Sequence, residues 1–264
     1  VDLGLTGKTA VVTGAGKGIG LAVCRALIAE GVTVIAGSRT GSAELDQLAA
    51  GGALISVLVD LAEVDGPAKL MGHADAVGGL DILVNNVGAT KIRLDGFLQI
   101  TDEQWADAFA LNFFSGLRST RAAIPRMIAK GGGNVVTIGS VNAFLPDPAV
   151  IDYSAAKAAV WNLSKSLSKE FGAQNLRFNS ISPGPVETDL WLGEHGVAQT
   201  VATASGVDFE TAKATVVASQ GGFSTGRFTK PDEVADLVLL LASSRAGNVT
   251  GADFLIDGGL IKTL

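Results

Sequence analysis

Cysteine is almost missing from this chain: Cys24 is the only one in 264 residues. That excludes an intrachain disulfide and any cysteine cluster for structural zinc. Histidine is nearly as scarce, and His73 and His195 lie far apart. Each reads as a solvated or packed side chain, so no metal site is expected. Long apolar runs are absent too. LISVLV (54–59) and LVLLLA (237–242) fall far short of the ~20 residues a membrane-spanning helix needs, and no membrane association is expected. Charge is thin at 17% of residues, with a net value of −6. Such a surface repels nucleic-acid phosphates, so any anionic ligand must be held by a local site. The opening VDLGLTGK lacks a charged segment followed by an apolar one, as a secretory leader would have. With a lone cysteine, this leads to the expectation of a reducing, cytoplasmic setting.

What the chain does have is apolar residues, 47% of the total, a share that fits a sheet covered on both faces. Short β-branched runs recur at 8–14, 32–38, 54–60, 80–86, 133–140, 176–182 and 253–257, separated by helical patterns. That rhythm predicts an α/β fold with a doubly wound parallel sheet of seven strands. Gly31 reads as a helix C-cap, Ser42 as an N-cap for ELDQLAA, and Thr101 with Gln104 as a capping box opening a long helix over 101–130. No linker or repeat divides residues 1–264, so one domain is expected. Only 187–227 breaks the rhythm, with scattered glycines and one short helix around FETAKATVVAS. A connection of that length in a compact domain is expected to be functional, here a substrate loop or lid.

Three local patterns carry chemistry. TGAGKGIG (13–20) stands between the first strand and the first helix. Glycines there let the backbone approach a pyrophosphate, and the free N–H groups of the helix start receive its charge. Its spacing is T-G-x-x-x-G-x-G rather than G-x-G-x-x-G, and a plain glycine turn would share its composition. Next, Tyr153-Ser-Ala-Ala-Lys157 begins a helical run, and a spacing of four puts phenol and ammonium on one face. A neighbouring fixed positive charge favours tyrosinate and moves the phenol toward a useful range. Finally, Ser140, Asn85-Asn86-Val87-Gly88 and Pro183-Gly184 all fall at strand ends, the edge where open α/β sheets bind ligands.

With these motifs in order, from KTAVVTGAGKGIG through DILVNNVG, LN at 111–112, IGS, YSAAK and NSISPGPVETD to FLIDGG, the chain resembles the short-chain dehydrogenase/reductase family over nearly its whole length. Val87 stands where the family usually has alanine, a change that leaves a backbone contact intact. The resemblance implies a Rossmann-type fold and an oxidoreductase acting on a small carbonyl compound or secondary alcohol. It implies that Tyr153 is the acid in reduction and the base in oxidation. Lys157 would lower its pKa and bond the nicotinamide ribose, Ser140 would position the carbonyl, and Asn112 would hold a water linking Lys157 to solvent. The cofactor would rest on Gly14, Gly16, Lys17, Gly18, Ile19 and Gly20, with Asp60 and Leu61 toward the adenine. Asn86, Val87, Gly88, Pro183, Gly184, Val186 and Thr188 would complete its bed, Asn85 would line the adenosine side, and Tyr153 and Lys157 would touch it too. Homotetramers, or homodimers, built on the long helices 101–130 and 152–172 are also implied.

The second strand ends in AGSRT, and no carboxylate stands where an NAD-preferring site would bind the ribose 2′-hydroxyl. Ser38 and Arg39 occupy that turn and Lys17 can reach it, so NADP(H) is expected over NAD(H). Leu94, Phe97, Asn142, Phe144, Leu145, Trp191 and Leu192 are candidates for the substrate walls, which would suit an apolar or amphipathic molecule. Two other readings stand beside this one. A 3-oxoacyl thioester on an acyl carrier protein would need a basic docking patch, which Arg118, Arg121, Arg126 and Lys130 could supply. A non-catalytic NADP(H)-binding sensor or scaffold would keep the glycine loop, although it would have no use for Asn112, Ser140, Tyr153 and Lys157 together.

Overall fold

The computed structural model describes residues 1–219 and 221–263. Strands β1 (Thr9–Thr13), β2 (Thr33–Ser38), β3 (Leu54–Leu58), β4 (Ile82–Asn85), β5 (Gly133–Ile138), β6 (Leu176–Pro183) and β7 (Asp253–Ile256) form one parallel sheet in the order β3-β2-β1-β4-β5-β6-β7. Helices α1 (Gly18–Ala29), α2 (Ala43–Ala50), α3 (Gly66–Gly72), α4 (Asp102–Phe109), α5 (Ser115–Ala129) and α6 (Ile151–Glu170) supply most of the crossovers. Helices α7 (Asp189–Leu192), α8 (Val197–Ser205) and α9 (Phe209–Ser219) precede α10 (Pro231–Ala242).

Alternation along the strands explains the two-sided core. Ala10, Val12, Val34, Ala36, Ile82 and Val84 point to one face, where they meet Val23 and Leu27 of α1 and Val234 and Val238 of α10. Val11, Ile35, Leu83 and Val135 point to the other, against Leu70 and Met71 of α3 and Ala123 and Met127 of α5. Burial on both faces is why these strands read as continuous apolar runs. The chain starts toward β2 and β3 on one side of β1 and continues through β4 on the other. The loops after β1 and β4 therefore diverge and open a crevice at the carboxyl edge.

The expected caps form. Ser42 Oγ accepts the Leu45 N–H at 3.2 Å, Thr101 and Gln104 complete their box, and Gly31 follows α1 with φ +77°. Two expectations need revision. The helix over 101–130 is interrupted by a π turn at Ala110–Phe114, because Asn112 Nδ2 donates to the Ala108 carbonyl and Ser115 Oγ to that of Leu111. These side chains compete for i−4 carbonyls that would otherwise close the α ladder. In 187–227, α9 coincides with FETAKATVVAS, but α7 and α8 are additional helices. Among the described residues no helix is long and apolar enough to cross a membrane.

Asp81 ties the entry of the sheet together. Its carboxylate accepts the Thr9 N–H at 2.9 Å and pairs with Lys130 and with Lys8 at 3.3 Å. Burial pushes the carboxyl up, but the Lys130 bond, the Thr9 N–H and the two ammonium charges outweigh it and hold it below the usual range. This contribution is present above the unfolded value near 3.9 and fades as the pH falls through the folded one. Asp81→Asn is expected to lower unfolding free energy by about 2 kcal/mol at pH 7, with the difference shrinking below about pH 4; urea unfolding at both pH values measures it.

Candidate active site

The glycine loop is shaped by what surrounds it. Thr13 Oγ1 accepts the N–H groups of Asn86 and Val87 at 2.9 and 3.1 Å and donates to Val84 O. Asn86 Nδ2 donates to the carbonyls of Thr13 and Gly14, both at 3.0 Å. The end of β4 thus holds the loop from below. A side chain at Gly20 would meet Gly14 O at 2.3 Å and Asn86 Nδ2 at 2.6 Å, so only glycine lets helix and loop come this close. Helix α1 begins at Gly18 with no side chain capping its first turn, and its N–H groups are open to an anion.

From this loop a cleft of about 560 Å³ runs along the carboxyl edge. Ser38, Arg39, Asp60 and Leu61 line one end; Asn86, Val87, Gly88, Pro183, Gly184, Val186 and Thr188 lie along it; Ser140, Tyr153 and Lys157 line the other end. The sequence places Asn85 here too, but the structure turns it away. Its Nδ2 donates to Thr120 Oγ1 at 2.8 Å on the α5 side, because successive residues of a strand face opposite ways. Lys17, expected near Arg39, instead reaches across the cleft mouth to Asp189 of α7 at 3.2 Å, in an exposed pair.

Tyr153 and Lys157 share a face of α6, with the ammonium 5.6 Å from the phenol ring centre. Ser140 and the phenol line the same end of the cleft, side by side. Ser140 Oγ donates to Asn142 Oδ1 and accepts the Asn142 N–H, both at 3.1 Å. Burial raises the Tyr153 pKa, and the neighbouring Ser140 hydroxyl opposes that rise. Lys157 donates to Ile138 O at 2.9 Å and is 4% exposed; burial pushes its ammonium down to about 8. Asn112 grips the loop after β4, donating to Ala89 O at 2.9 Å and accepting the Ala89 N–H at 3.0 Å. Asn112 Oδ1 and Lys157 Nζ lie 3.0 and 3.3 Å from where a Gly88 side chain would begin. Gly88 therefore keeps an open path to both.

A family model described as short chain dehydrogenase matches residues 8–195. The chain belongs to the short-chain dehydrogenase/reductase family. It is 31% identical to an uncharacterized oxidoreductase, YvrD, of Bacillus subtilis, with all of both chains covered. It is also 31% identical to the 3-oxoacyl-[acyl-carrier-protein] reductase FabG of Vibrio harveyi, covering 98% of this chain and 99% of that one. Its fold superposes on L-sorbose reductase from Gluconobacter frateurii, solved with NADPH and L-sorbose, at a TM-score of 0.89 with 31% identity and full coverage of both chains.

Within this family frame the cleft walls differ from the sequence expectation. Asn142, Leu94 and Trp191 line the cleft. Phe144 does not: it packs edge-on against Trp161 at 5.1 Å. Phe97 packs against Trp105, and Leu145 and Leu192 also lie off the cleft. Their places are taken by Thr90, Asp147, Val197, Val201, Val216 and Ser219. Those of α8 and α9 carry no motif, so only the packing of these helices identifies them. Thr13 and Asp189 sit inside the quoted motifs, but their partners are more than 70 residues away in sequence.

The buried ammonium of Lys157 costs the fold on the order of 3 kcal/mol, given a pKa pushed down to about 8 from 10.5. That cost is complete below about pH 8 and fades as the pH rises toward 10.5. Lys157→Met is expected to raise unfolding free energy at pH 7 by about 2 kcal/mol, net of the bond to Ile138 O, while abolishing turnover. Denaturant unfolding at pH 7 and pH 10 should show the gain at the lower pH and little at the higher.

Proposed function

We propose that this chain is an NADP(H)-dependent oxidoreductase that interconverts a small ketone and its secondary alcohol. The observation that carries the reading is one continuous cleft. It joins an uncapped helix start and Arg39 at one end to Ser140 and Tyr153, with Lys157 beside the phenol ring, at the other. The residues fit the cofactor: the glycine cradle admits a pyrophosphate, and no carboxylate stands at the β2 turn to repel a 2′-phosphate. When bound, the nicotinamide supplies the hydride.

The chain supplies the proton. Tyr153 donates its hydroxyl proton to the substrate oxygen as negative charge develops there, and Ser140 holds that oxygen in place. Burial raises the Tyr153 pKa further above its ordinary value, which suits an acid. Lys157, a buried cation on the same face, offsets the cost of the tyrosinate left behind. Asn112 keeps the loop after β4 in place around Lys157. In oxidation the same groups run in reverse, with Tyr153 as the base.

Thr90, Asn142, Asp147 and Ser219 give the substrate end polar groups beside Ile92, Leu94 and Val197. Such a wall suits a hydroxylated ketone, and the likeness to L-sorbose reductase supports the same class. The carrier-protein reading is weaker. Arg126 pairs with Asp75, Lys130 with Asp81, and Arg118 donates to Ala62 O over the Phe114 ring. The proposed basic patch is thus largely neutralised or folded inward. Self-association as a homotetramer is proposed on family likeness, and light scattering tests it.

NADPH consumption should be measured against ketoses, simple ketones, aldehydes, quinones and 3-oxoacyl thioesters. The highest kcat/KM is expected on a hydroxylated ketone; a preference for the thioester would overturn the substrate reading. Arg39→Ala is expected to lower the NADPH over NADH preference ten- to a hundredfold, and an unchanged ratio would remove Arg39 from cofactor choice.

A further inference from the structure

Arg93 and Asp152 form an ion pair that hydride transfer leaves unused. Their side chains are 11% and 2% exposed. Burying two charges is costly, and apolar side chains of similar volume are often as stable. Stability alone therefore gives no reason for this pair.

Its position does. Asp152 stands in the first turn of α6, directly before Tyr153. One carboxylate oxygen accepts the N–H of Tyr153 itself at 2.9 Å. The other accepts from Arg93, from Nε at 3.0 Å and from Nη2. The Arg93 backbone N–H donates to Ala149 O at 2.7 Å, so main chain and side chain bind the same helix start. Arg93 also sits on the loop whose Thr90, Ile92 and Leu94 line the cleft. Asn112 grips that loop at Ala89, and Arg93 fixes it four residues later.

We propose that Arg93 is a positioning residue for the reaction, acting through Asp152 to fix the first turn of α6 under Tyr153 and to cancel the carboxylate charge beside it. The proposal rests on Tyr153 being the acid–base group. The other charges around the phenol are Lys157 on α6 and Asp147 before the Pro148–Val150 turn. The Lys17–Asp189 pair lies at the cleft mouth, and Arg39 and Asp60 line the cofactor end. None of these groups is substituted when the pair is changed.

Two single variants move the local charge in opposite directions. Arg93→Met leaves an uncompensated carboxylate and disfavours tyrosinate. Asp152→Asn leaves an uncompensated guanidinium and favours it. The pH profile of NADP-dependent oxidation should shift up by about half to one unit in the first variant and down by a similar amount in the second. It should return to the wild-type position in Arg93→Met with Asp152→Asn combined. Arg93→Lys should restore most of kcat. KM for the cofactor should stay within about twofold throughout, because the pair does not line the cofactor bed.

Lower kcat with unmoved profiles in both singles would reduce the pair to a structural tie and overturn the proposal. So would shifts of the same sign. Should Arg93→Met fail to fold, the downward shift in Asp152→Asn and its reversal in the double variant still decide. A wild-type oxidation rate that does not rise with pH at all would instead remove Tyr153 as the base, which is a separate failure.

Discussion

The structure depends on the knot between the ends of β1 and β4. Asn86 donates twice to Thr13, from its backbone N–H to Oγ1 and from its amide to the carbonyl, and the same amide holds the Gly14 carbonyl at the start of the glycine loop. Without it, the loop would have no fixed relation to the strand that leads to Gly88 and Ala89. With it, the crevice between diverging loops becomes a surface of set shape. The unsatisfied donors of α1 face the cleft, and glycines at 14 and 20 let the loop, the helix and the end of β4 pack this closely beside it.

The same logic governs the far end of the cleft. Lys157 is buried and Tyr153 partly so, and burial disfavours the charged form of each. The fold accepts that cost because neighbouring groups fix where each can sit. Ile138 O holds the ammonium, and Ser140, beside the phenol, is itself held by the backbone N–H and the side-chain oxygen of Asn142. The π turn around Asn112 belongs to this set. A regular helix would leave the Ala108 carbonyl to the backbone, whereas the wider turn lets Asn112 take it and still reach Ala89.

The strands were legible because each is short, β-branched and bounded by turn residues, and their alternation matches the two core faces residue by residue. The cofactor bed was legible because glycines and strand ends are local signals. Asn85 and Asn86 show where such signals stop. They are identical neighbours in sequence, and only the pleat decides that one faces the cleft and the other α5. The substrate walls were less legible. Phe144 and Val201 are both apolar, and neither periodicity nor spacing tells which packs on Trp161 and which lines the cleft. Arg93 and Asp152 carry no local pattern, and 59 residues separate them.

The most direct test of the account is Tyr153→Phe, with NADPH binding followed by nicotinamide fluorescence and hydride transfer followed in a single turnover. The account predicts binding within about twofold of wild type and a transfer rate lower by about 10² to 10⁴, because the cradle is intact and only the proton donor is gone. A variant that still transfers hydride within a few-fold of the wild-type rate would contradict it.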